Sequence, residues 1–185
     1  MKRYRNWIIA LVVIITMGAI ALQNRLVPSS VEVTKAPPIT STPTYEPCGY
    51  MWAYQDVPEL AVKVESAIHV LNPEAKIRVQ AFGENCVYAD GRATFLAMET
   101  NIFINTTVKD LTDEDSLGNW MAQVLPLIIQ ISEDEFPGGY GVVEFWFEKS
   151  NGESIVVQVR IPKYFDAEVQ AKSGVELFRL FYDKP

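Results

Sequence analysis

The chain has 185 residues and a formal net charge of −7, with one histidine and two cysteines. Five of its 16 Lys and Arg and two of its 23 Asp and Glu precede Cys48, so the part from Cys48 onward carries 11 positive against 21 negative side chains, a formal charge of −10. A surface of that sign sets nucleic acid aside as a partner, and one histidine with no Cys-x-x-Cys pair sets aside a zinc centre.

Lys2, Arg3 and Arg5 stand ahead of an uncharged apolar run from Trp7 to Leu22. As a helix at about 1.5 Å per residue this run would extend roughly 24 Å, short of but near the ~30 Å hydrocarbon core. Residues 1–25 therefore read as an N-terminal signal anchor, with the N-terminus cytoplasmic and the membrane a partner through residues 7–22. Ala19-Ile20-Ala21 offers a cleavage site for the alternative, a signal peptide. Residues 26–47 hold five prolines among many Ser and Thr and read as an extended linker. Residues 48–185 have the size of one ordinary domain, expected on the extracytoplasmic side of a single-pass protein of the cell membrane, or exported if the segment is cleaved.

In "VPELAVKVESAIHVLN" Val57, Leu60, Val64, Ile68 and Leu71 recur at three- and four-residue spacing, which predicts an amphipathic helix with Asp56 as N-cap and Pro58 in its first turn. Two alternating runs then flank Asp90-Gly91. A two-residue turn there pairs Ala81 with Thr100, Val79 with Ile102 and Ile77 with Ile104, and turns Leu96 and Met98 to the same apolar side. "DEDSLGNWMAQVLPLIIQI" predicts a second helix, capped by Thr112 or Asp113 and kinked at Pro126. "GVVEFWFEKSNGESIVVQVRI" predicts a second hairpin, and here only a three-residue loop, Ser150-Asn151-Gly152, keeps the faces unmixed, pairing Phe147 with Ile155, Phe145 with Val157 and Val143 with Val159. Helix and hairpin thus occur twice. The expected fold class is α+β, a two-layer αββαββ arrangement: a four-stranded antiparallel sheet with two helices on one face and a C-terminal helical segment.

The strand after the first helix runs back toward that helix's start, which brings Cys86 near Cys48. A disulfide between them closes about 38 residues. The sheet face away from the helices should carry Phe82, Phe95 and Phe103 from the first hairpin and Val142, Trp146 and Val156 from the second, beside Glu144, Gln158 and Arg160. A merely solvated face would be polar. "SGVELFRLFYD" near the C-terminus is the expected cover of this patch; left bare, it would be a surface for a protein partner or a homodimer.

The chain contains no Gly-x-Ser-x-Gly elbow, Gly-x-x-x-x-Gly-Lys loop or His-Glu-x-x-His helix. "FPGGYG" leads from helix to strand and reads as a turn, since anion cradles run from strand to helix. Asp110, Asp113, Glu114 and Asp115 do not fit a calcium loop, because Val124 stands where the bidentate Glu belongs, and helix capping accounts for them. No cofactor or metal is implied. The expectation is a membrane-tethered extracytoplasmic binding or assembly module with Phe82, Phe95, Phe103 and Trp146 as binding residues. Its alternatives are a hydrolase-type enzyme, for which Glu84, His69 and Asp110 are the first acid–base candidates, and a cation or small-molecule sensor using the acidic cluster.

Overall fold

The computed structural model describes residues 47–182. Strand β1 (Cys48–Asp56) leads into helix α1 (Pro58–His69), followed by the hairpin β2 (Lys76–Tyr88) and β3 (Ala93–Thr107). Helix α2 (Glu114–Ile129) and a single 3-10 turn (Glu133–Glu135) lead to the second hairpin, β4 (Tyr140–Glu148) and β5 (Ser154–Arg160). Two four-residue helices, α3 (Ile161–Tyr164) and α4 (Ala167–Gln170), and the longer α5 (Gly174–Phe181) complete it.

The periodic segments form the helices for the reason their spacing gives. Leu60, Val64 and Ile68 on α1, and Leu117, Met121, Val124, Leu125 and Ile128 on α2, are buried against one face of the sheet. That face is built from Val79, Ala81, Ile102, Ile104, Val143, Phe145, Phe147, Val157 and Val159, all of them nearly or fully inaccessible. Val57, not Asp56, occupies the N-cap of α1, and Asp56 accepts a hydrogen bond from Gln80 Nε2 within the sheet at 2.8 Å. Helix α2 runs continuously through Pro126.

The sheet corrects the expected fold. It has five strands in the order β1-β2-β3-β4-β5, and β3 and β4 are parallel. A crossover helix explains the parallel pair: α2 carries the chain back along the sheet, so the next strand starts where β3 started. The added strand is β1, which lies antiparallel to β2 with Trp52 opposite Glu84 and Tyr54 opposite Phe82. Its sequence, "CGYMWAYQD", sets Tyr50, Trp52 and Tyr54 at alternate positions but puts the apolar Met51 and Ala53 between them, and so lacks the apolar–polar alternation that marks a half-buried strand. Five helices replace the expected two plus one. Of the C-terminal ones, α5 packs on α2 in the helix layer, with Leu177 and Phe178 fully buried. The expected cover of the opposite sheet face is therefore absent among the described residues.

The second hairpin has the three-residue loop, with Lys149 and Glu153 bonded across it and Phe147 opposite Ile155. The first also has a three-residue loop, 89–91, rather than two: Tyr88 N–H donates to Arg92 O at 2.9 Å, and Gly91 takes φ +86°. A β-bulge at the Phe82/Gly83 step, with Met98 as the extra residue, then takes back the one-residue difference. Beyond the bulge Ala81 faces Thr100 and Ile77 faces Ile104, whereas between bulge and turn the pairing is shifted by one.

Cys48 and Cys86 form a disulfide, their Cα atoms 5.3 Å apart. Residues 1–25 and, apart from Pro47, the linker 26–47 lie outside the described residues. Among the described residues no helix is long and apolar enough to cross a membrane. The single-pass, membrane-tethered and extracytoplasmic reading is corrected accordingly: the structure supports an α+β domain closed by a disulfide and bearing aromatic clusters, and the function below is argued from that domain alone.

Candidate functional site

The sheet face away from the helices carries two aromatic groups. On the β1 side, Tyr50, Trp52 and Tyr54 stand at alternate positions of one strand and therefore share a face with Phe82 and Glu84 of β2. Trp52 stacks on Phe82 with ring centroids 5.3 Å apart, and Tyr54 meets the same ring at 5.1 Å. Trp52 is still 63 % exposed and Tyr54 57 %, so the stack orders the side chains without hiding them. On the β4 side, the Arg78 guanidinium lies 4.4 Å from the centroid of Phe103. Arg78, Phe103, Asn105 and Trp146 line a shallow cleft of about 260 Å³ there. Trp146, 40 % exposed, donates its indole N–H to Glu144 at 3.1 Å, and Gln158 donates to the other oxygen of the same carboxylate at 2.9 Å.

Three of the four residues singled out in the sequence, Phe82, Phe103 and Trp146, thus lie on this face. Phe95 does not. It pairs with Asn85 in the shifted part of the hairpin and points to the other side, while Leu96, expected in the core, faces outward opposite Glu84 and is 69 % exposed. Met98, the bulged residue, is likewise 51 % exposed. Sequence reasoning missed Tyr50, Trp52 and Tyr54, whose alternation was the available signal once "CGYMWAYQD" is treated as a strand.

Charge on the face is lopsided. Strand β1, residues 80–88 of β2 and all of β3 contain no Lys or Arg. Asp56, Glu84 and Glu99 nevertheless project there, as their pairing with Gln80, Trp52 and Phe82 shows. None of the three has an ion-pair partner among the described residues.

The acid–base candidates do not assemble. Glu84 lies on the outer face; His69 at the end of α1 has Nε2 2.9 Å from the Ala75 carbonyl and 3.7 Å from Glu65; Asp110 precedes α2 and accepts from Thr112 N and Oγ1, both at 2.8 Å. Among the described residues no three His, Cys, Asp or Glu side chains are placed to hold a metal ion.

Asp113 caps α2, accepting from Ser116 N at 3.1 Å and Ser116 Oγ at 2.7 Å. These bonds, the hydroxyl's first, hold its carboxyl below the ordinary aspartate range, and the Thr112 N–H and then its hydroxyl do the same for Asp110. A depressed folded-state value means that the cap's stabilisation is present above the unfolded aspartate range and is lost as pH falls through the folded one. Asp113→Ala should therefore lower the midpoint of thermal unfolding at neutral pH and give a shallower loss of stability below pH ~4, near the ordinary aspartate value. Parallel acid limbs for variant and wild type would show that the cap does not contribute.

No family model, no curated protein and no solved structure matches the chain, so its function is argued from the geometry above.

Proposed function

We propose that the domain is a protein-binding module that takes an extended, basic segment of its partner along the free edge of β1. One observation carries the reading: β1, nine residues free of Pro and Lys and an edge strand among the described residues, leads directly onto an aromatic face that no described residue covers. An edge of that length presents a row of backbone N–H and C=O groups for another strand, and proteins ordinarily blunt such edges with Pro, charge or a covering element. Main-chain bonds along β1 supply register. Alternate side chains of the added strand then fall beside Tyr50, Trp52 and Tyr54, residue types that dominate binding energy when they become buried.

The charges specify the partner's chemistry. Asp56, Glu84 and Glu99 face outward and have no ion-pair partner among the described residues, and lysine or arginine side chains next to Trp52 and Phe82 would gain both carboxylate and cation–π contacts. A second copy of this chain would bring one domain of formal charge −10 against another.

A nine-residue peptide of alternating lysine and threonine, titrated by calorimetry, tests this. Binding should weaken about tenfold or more for Trp52→Ala and for Glu84→Lys, as loss of an aromatic anchor or a charge partner does. It should vanish when the peptide's alternate amides are N-methylated. Equal binding by wild type and Trp52→Ala, indifference to methylation, or self-association of the domain through β1 would each overturn the proposal.

A further inference from the structure

Among the described residues β5 is the other edge of the sheet, four strand spacings or about 19 Å from β1. Its end meets α3 and the end of α5 at a cleft of about 350 Å³, lined by Gln158, Arg160, Lys163, Arg179 and residues 180–182. The core fixes what each element contributes. Val157 and Val159 are buried, so alternation turns Gln158 and Arg160 to the outer side of β5. Ile161 and Tyr164 are buried at the two ends of α3 and leave Lys163 exposed between them, while Leu177 and Phe178 anchor α5 and leave Arg179 exposed in its last turn. Three cations from three elements thus converge in a domain of formal charge −10, and no carboxylate is among the residues lining the cleft. Glu114 pairs with Arg179 Nε at 2.5 Å and accounts for that cation. Lys163 lies over the Phe181 ring, 5.0 Å from its centroid, but neither it nor Arg160 has an ion-pair partner among the described residues. Glu144, bonded to Gln158 Nε2 from the neighbouring strand, also accepts from the Trp146 indole and does not line the cleft.

We propose that this cleft binds a small organic phosphate monoester. Arg160 and Lys163 leave two positive charges without a counter-charge, and a monoester carries about −1.5 to −2 at neutral pH, where a carboxylate or a sulfate ester carries only one negative charge. Its three non-ester oxygens are as many as the cationic side chains around the cleft. Arginine presents a planar fork of donors that fits such oxygens, and Arg179 keeps its two terminal nitrogens for them because Glu114 takes only Nε. The ester is organic rather than inorganic phosphate because the rest of the lining is apolar: Leu180 and Tyr182, both half-buried, offer a surface for a short chain or one ring. The volume is at the small end of the range for ligand sites, ~300 to 1,000 Å³, which suits a molecule of this size.

The site shares no residue with β1 or its aromatic group, so its test is separate from that of the partner reading. The full chain is titrated by calorimetry with phenyl phosphate, phenyl sulfate and inorganic phosphate, and with phosphatidylcholine vesicles carrying phosphatidic acid. Phenyl phosphate should bind saturably, and phenyl sulfate, of the same shape but one charge, about tenfold more weakly. Inorganic phosphate, which lacks the ring, should also bind more weakly than the ester. Arg160→Gln and Lys163→Gln, both at exposed positions, should each weaken the ester about tenfold without moving Tm, as loss of a hydrogen bond to a charged group does. Lys172→Gln makes the same change of net charge at the Lys172–Glu176 pair outside the cleft and should leave binding as it was. Equal binding of ester and sulfate, wild-type affinity in Arg160→Gln, or an equal loss in Lys172→Gln would overturn the proposal. So would inorganic phosphate binding as tightly as the ester, which would assign the cleft to an adventitious ion only, or vesicle binding that the soluble ester does not reproduce, which would assign it to a lipid surface.

Discussion

Gly118→Ala should cost about 3 kcal/mol or more, the upper part of the range for overpacking a filled interior. A Cβ on Gly118 would overlap the carbonyl group of Gly174, a backbone atom that cannot swing aside as a side chain would. Gly174 cannot retreat without cost, since it takes φ +53° at the first turn of α5 and lies against Asp115 of α2. The choice is between a strained seam and a displaced α5. Displacement uncovers Leu177 and Phe178, each worth roughly 1.5 to 3 kcal/mol when fully buried. Urea unfolding should show a lower midpoint, or a changed slope if α5 detaches before the rest melts. Gly49→Ala is the control, because its added methyl meets only the Val87 carbonyl oxygen at 4.0 Å. Equal midpoints for the two variants would show that α2 and α5 do not need their close approach.

Opening the Cys48–Cys86 bridge should have the next largest effect. Closing 38 residues restricts the unfolded chain by about 3 to 4 kcal/mol in the chain-entropy account, which for a domain of this size is on the order of 10 °C in Tm. The loss should concentrate at one place. Among the described residues strand β1 pairs with β2 alone, and its side chains are mostly exposed, so it is held by the ladder, the contacts of Trp52 and Tyr54 with Phe82, the Gln80–Asp56 bond and the bridge. Cys48→Ala/Cys86→Ala should therefore speed amide exchange in β1 far more than in β4, whose Val143, Phe145 and Phe147 are buried. A Tm within about 2 °C of wild type, less than 1 kcal/mol by the same conversion, would mean that strand pairing suffices.

The parts of the fold legible in the sequence are those in which one face is buried and the other is not. Leu60, Val64 and Ile68, or Phe145 and Phe147 with Glu144 and Glu148 flanking them, repeat at the period of their element because the core enforces it. Strand β1 has no buried face, so nothing imposed alternation on "CGYMWAYQD", and it reads as irregular. The parallel β3–β4 pair was legible in principle from the helix between the strands but was obscured by the likeness of the two helix–hairpin units. Phe95 and Leu96 were misplaced for a subtler reason: the extra loop residue and the Met98 bulge cancel, so the correct pairing of Ile77 with Ile104 gave no warning of the shifted stretch between. That the buried Thr106 hydroxyl and Trp120 indole N–H have no hydrogen-bond partner among the described residues was beyond reach, because partnership there depends on how β3, β4 and α2 meet.

The strand order β1-β2-β3-β4-β5 is also the order of synthesis. Each strand, on leaving the ribosome, finds its neighbour already made, and no early strand has to wait with an open side for a late one to be inserted between two others. The sheet can thus grow outward at a single advancing edge during translation, with domains synthesised at ~5 to 20 residues per second. Misassembly through out-of-order pairing is limited by topology itself, and among the described residues the side of the sheet left open throughout this growth is that of β1, the first of these five strands to be made.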